Sequence, residues 1–99
     1  MKLAELEPQF IRHKPDGWTD VATLAEAQGV HFLCPLGCGH IVLCWFRDRG
    51  VPDAETPGPG RWAASGAGFE DLTLSPSIHL TGPGCGWHGF VTAGQVTSC

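Results

Sequence analysis

The sequence predicts a small β-rich domain of the α+β class, zinc-ribbon-like, with two knuckle hairpins and one short helix. Three observations carry this. Gly (14) and Pro (8) are frequent in a chain of 99 residues, which favours turns and short strands over long helices. Two short turns, Cys34-Pro35-Leu36-Gly37-Cys38-Gly39-His40 and Cys85-Gly86-Trp87-His88-Gly89, each hold metal-competent side chains a few residues apart. One stretch, Thr23-Leu24-Ala25-Glu26, has the form of a helix-starting capping box.

Taken in order, residues 1–15 mix apolar and charged positions. Phe10-Ile11-Arg12-His13 reads as an edge strand, with a partly ordered arm as the alternative. Pro15-Asp16-Gly17 is a turn. The helix is expected to start at Asp20 or Thr23 and to end at Gly29, where a C-terminal cap belongs. Val30-His31-Phe32-Leu33 is a strand that feeds the first knuckle. The apolar run Ile41-Val42-Leu43-Cys44-Trp45-Phe46 suits a central strand buried on both faces. Residues 47–61 form a surface loop, since their glycines and prolines disfavour a ladder. Trp62-Ala63-Ala64-Ser65, Leu72-Thr73-Leu74 and Ser77-Ile78-His79-Leu80 are short strand candidates, the last after a bend at Ser75-Pro76. Phe90-Val91-Thr92 and Gln95-Val96-Thr97 flank the Ala93-Gly94 turn as a terminal hairpin.

All 99 residues fit one domain, and a chain of this size buries only about 60–65% of its unfolded surface. A metal cross-link is the kind of staple that such a domain uses. Cys34, Cys38, Cys85 and His88 make a Cys₃His set within the spacings of tetrahedral zinc sites, with His40 as an alternative ligand or a hydrogen-bond partner of a thiolate. Cys38-x-His40 with Cys85-x-x-His88 instead suits a two-Cys, two-His [2Fe-2S] centre. Buried thiols acting as small hydrophobes are the third possibility, and the natural one for Cys44. Glu70 and Asp71 beside a turn read as a solvated face. No Ser/His/Asp triad or phosphate loop is visible.

A formal charge of −4 and the absence of a Lys/Arg cluster argue against nucleic acid. No apolar run reaches the ~20 residues that span a bilayer, and the N-terminus has no signal-peptide core. A cytoplasmic location is expected (the host's, if phage-encoded), where closely spaced cysteines are more often metal ligands than disulfides.

Two resemblances add to this. Cys85-Gly86-Trp87-His88-Gly89 resembles the second box of Rieske proteins and Cys38-Gly39-His40 the first, although Gly86 stands where those boxes carry Pro. The strings Leu24-Ala-Glu-Ala-Gln-Gly-Val-His-Phe-Leu-Cys-Pro, Cys44-Trp-Phe-Arg, Pro57-Gly-Pro-Gly-Arg-Trp, Leu74-Ser-Pro-Ser-Ile-His-Leu and Cys85-Gly-Trp-His-Gly-Phe-Val resemble a family of small phage and prophage proteins. Some broader relatives with a Cys-Pro-x-Gly-Cys-Gly knuckle carry the label ammonia monooxygenase. The resemblance implies a phage-type metal-binding protein and supplies no activity. The function expected from sequence is therefore a zinc-stabilised phage or prophage accessory protein that binds another protein without catalysis. A Rieske-type electron carrier or oxygenase component is the alternative.

Overall fold

The computed structural model describes residues 1–37, 39–52, 61–79 and 86–98. Among the described residues, eight strands build two antiparallel sheets. The first holds β1 (Gln9–Lys14), β2 (Gly17–Val21), β3 (Gly29–Leu33) and β4 (Ile41–Trp45), in the order β2-β1-β3-β4. The second holds β5 (Ala63–Ser65), β6 (Thr73–His79), β7 (His88–Thr92) and β8 (Gln95–Ser98), in chain order. Among the described residues no helix is long and apolar enough to cross a membrane.

Period-two alternation explains which face of each sheet turns inward. Phe10, Val30, Phe32, Val42 and Cys44 leave the first sheet on one side. Leu74, Ile78, Val91 and Val96 meet them from the second, and all lie in one buried cluster. Phe32 meets Trp87 edge-on at 6.3 Å between ring centroids, a geometry that places the positive rim of one ring on the negative face of the other. The N-terminal residues belong to this structure. Leu3 and Leu6 on a 3-10 turn, Leu3–Leu6, are buried in the core. The Leu3 N–H donates to the Gly94 carbonyl, and the Val96 N–H donates to that of Met1.

The α+β, zinc-ribbon-like expectation is overturned: the described chain is all-β apart from the 3-10 turn. The two residues of the capping box meet, but the Glu26 carboxylate takes the Thr23 hydroxyl in place of the Thr23 N–H that a complete box would use. The Thr23 hydroxyl donates to the Glu26 carboxylate at 2.8 Å, and the Glu26 N–H donates back to the Thr23 hydroxyl at 3.3 Å. The turn runs as far as Ala27, whose N–H donates to the Leu24 carbonyl, and no helix follows because the backbone of Gln28 is committed elsewhere. The Gln28 N–H donates to the Ile11 carbonyl, and the Gln28 carbonyl accepts from Phe46 N–H. Its side chain accepts from His13 N–H and donates to the Arg49 carbonyl. A single helical turn is a costly nucleus, and without propagation it stays a turn.

Gly29, expected as a helix cap, opens β3. A side chain there would lie 2.8 Å from the Trp45 ring and 2.9 Å from the Cys44 carbonyl, so Gly29 makes room for the indole. β4 forms as expected but at the edge of its sheet, pairing only with β3 in a regular ladder. Its outer flank is met by an isolated bridge from Phe46 to Trp62. β1, read as an edge, is an inner strand because residues 17–21 pair with it as β2. Of the 47–61 loop, residues 53–60 lie outside the described residues.

Candidate serine–histidine site

On β6 and β7 the ladder is interrupted. Leu74 pairs with Val91 and Ile78 with Gly89, so Ser75, Pro76 and Ser77 stand opposite Phe90 alone. This is a β-bulge, a device that bends a strand and re-aims a side chain. Beyond it, regular pairing sets His79 directly across from His88. Ser77 and His79 are two residues apart on one strand and share its outward face, while Ile78 between them is buried in the core. Three polar side chains are thus gathered on the outside of the second sheet.

Ser77 Oγ lies 3.2 Å from His88 Nε2. With the imidazole proton on Nδ1, Nε2 accepts the Ser77 hydroxyl, which is the arrangement that a nucleophile and its base require. The rings of His79 and His88 stack, with centroids 4.6 Å apart and planes at 26°. Ser77 is half-buried and both histidines are exposed. Phe90, also exposed, follows His88 on the same face. Ser77 is anchored from behind, because the Trp62 indole N–H donates to its carbonyl at 3.3 Å.

The sequence-predicted metal residues are placed unevenly. Cys34 is buried at the end of β3, where its N–H donates to the His40 carbonyl at 2.9 Å and its carbonyl accepts from Gly37 N–H at 3.0 Å. Gly37 and Gly39 adopt the left-handed φ values of 72° and 82° that this tight turn needs. Cys38 and Cys85 lie outside the described residues. Among the described residues no three Cys, His, Asp or Glu side chains gather. His88, expected beside thiolates, stands beside Ser77. Cys44 is fully buried, and burial pushes its thiol well above the usual range, as expected of an inert core thiol. Asp71 is no acid–base partner for Glu70. Its carboxylate accepts the N–H groups of Gly68 and Ala67 and closes the turn before β6; those bonds hold it below the usual carboxylate range.

Ser77 was not legible in the sequence because serine is common and the imidazole it meets is eleven residues away, across a bulge. One signal was legible: Ser77-x-His79 puts a hydroxyl and an imidazole on the same side of a half-buried strand.

No curated protein and no solved structure matches the chain. A family model described as bacterial ubiquitination-like system serine protease (BubE) matches residues 7–99. With nearly the whole chain inside that match, the protein belongs to the BubE family.

Proposed function

We propose that the chain is a serine protease of a bacterial ubiquitination-like system, with Ser77 as nucleophile and His88 as general base. The observation that carries this is the 3.2 Å approach of Ser77 Oγ to His88 Nε2 on a bulged strand pair, in a chain whose family is described as serine proteases. As Ser77 Oγ attacks the scissile carbonyl carbon, its proton passes to His88 Nε2. The tetrahedral adduct then expels the amine, which takes that proton, and an acyl-enzyme ester on Ser77 remains. Water, deprotonated by the same imidazole, releases the acid. His79 is not hydrogen-bonded to His88; its stacked ring limits rotation of the base and covers one face of it. The substrates are protein components of the same system, so a protein partner enters here as substrate. An alkyl fluorophosphonate should label wild-type protein once, at Ser77 by peptide mapping, and Ser77→Ala should stay unlabelled. Labelling elsewhere, or none, would remove the serine mechanism.

A second reading concerns stability and is favoured by the β3–β4 turn. Its two hydrogen bonds and two left-handed glycines give the chain a knuckle with Cys34 at one end and His40 at the other. Zinc would be held by Cys34, Cys38 and Cys85, with His40 or His88 as the fourth ligand. His40 as the ligand leaves His88 free to act as base, and the two readings then coexist. When bound, zinc would supply folding energy. Purified protein should then be colourless with one zinc per chain, and Cys34→Ser should lose it on dialysis against a weak chelator. Retention of zinc by Cys34→Ser would exclude this set. A red protein with two irons would favour the [2Fe-2S] alternative.

A further inference from the structure

We infer that Trp62 is a positioning residue for the nucleophile, its indole N–H fixing the bulged backbone that carries Ser77 beside His88. This rests on the assignment of Ser77 above. β5 pairs with β6 only from Ala63↔Ser75 to Ser65↔Thr73, so its ladder stops short of Ser77. On the other side the pairing with β7 skips from Leu74 to Ile78. Ser77 therefore has no register partner on either neighbouring strand, and Pro76 before it has no N–H to offer.

The Trp62 indole fills that gap. Its donation to the Ser77 carbonyl, at 3.3 Å, ties down the residue that carries the hydroxyl. Trp62 is itself held from the first sheet. Its N–H donates to the Trp45 carbonyl at 3.0 Å and its carbonyl accepts from Arg47 N–H at 2.7 Å. The indole packs half-buried against the core cluster, which removes most of its rotational freedom. One residue thus spans from the edge of the first sheet to the nucleophile on the second. It also gives a task to the Arg-Trp end of Pro57-Gly58-Pro59-Gly60-Arg61-Trp62, a segment that the serine–histidine pair alone leaves unexplained.

Trp62→Phe keeps an aromatic ring and removes the donor. The Ser77 phosphonylation rate by an alkyl fluorophosphonate should fall about tenfold, the scale of a lost hydrogen bond combined with a small misplacement of the nucleophile. The melting midpoint should stay within a few degrees. The His88 Hε1 resonance should move toward its position in Ser77→Ala, a signature that a purely packing role would not produce. If Trp62→Phe melts early, benzothienylalanine at position 62, which replaces the N–H by sulfur at nearly constant shape, decides the matter. A rate within twofold of wild type in the folded variant overturns the Trp62 assignment and leaves Ser77 standing. A wild-type protein that does not react at Ser77 overturns both.

Discussion

His88→Ala is expected to slow Ser77 phosphonylation, and proteolysis, by about 10²–10⁴-fold, the usual contribution of a positioned general base. The reason is local. Without Nε2 at 3.2 Å, the Ser77 hydroxyl must lose its proton to water, and serine is a weak nucleophile at its own acidity. The fold should not notice, because His88 is exposed and its neighbours Trp87 and Gly89 carry the packing. Unchanged melting with lost reactivity would separate chemistry from structure. His79→Ala should cost less than His88→Ala, since His79 touches the base by its ring face and makes no hydrogen bond to Ser77 Oγ. An equal loss from both would mean that His79 shares the proton transfer. Full reactivity in His88→Ala would show that His88 is not the base.

Gly89→Ala is expected to cost the fold about 3 kcal/mol or more, at the upper end for overpacking a filled site. A Cβ at Gly89 would run into the Thr97 carbonyl on β8, and would stand 2.5 Å from Trp87 Cζ2 and 2.9 Å from Cε2. The strand cannot step aside, because Gly89 is paired on both flanks, with Ile78 and with Ser98. Trp87 cannot yield cheaply either, being buried, edge-on to Phe32 and bonded through its indole N–H to the Ser98 hydroxyl. For a domain of this size the melting midpoint should drop by roughly 10–20 °C. Gly86→Ala is the control: its φ of 64° strains a side chain, yet none of the described residues lies within 4 Å of the added carbon. That change should cost about 1–2 kcal/mol. A Gly89→Ala protein melting within a few degrees of wild type would contradict the packing described for β7.

The two expectations meet at one place. Gly89 lies between His88, which faces outward to Ser77, and Phe90, which faces the bulge. Its missing side chain lets Trp87 pack beneath the strand while His88 and Phe90 stay exposed on the opposite face. Stability and chemistry thus occupy opposite faces of one five-residue strand, which is why changes to each should be separable.

The sequence by itself determined the strands whose pattern is local. Val30 to Leu33, the run from Ile41, and the hairpin around Ala93-Gly94 are legible because alternation and turn residues act over a few positions. It also favoured a buried thiol at Cys44, which lies in the core. The tertiary structure alone decided the rest. Thr23 to Glu26 has the sequence of a capping box and still makes no helix, since Gln28 is claimed by Ile11 and Phe46 from other parts of the chain. Gly29 looks like a helix cap and proves to be clearance for Trp45, sixteen residues away. The candidate site depends still more on long-range placement. Ser77 and His88 meet because β6 pairs with β7 across eleven residues of sequence, and no local propensity encodes which strands pair. Residue type and spacing disclose which groups can do chemistry. Only the pairing of strands decides which of them touch.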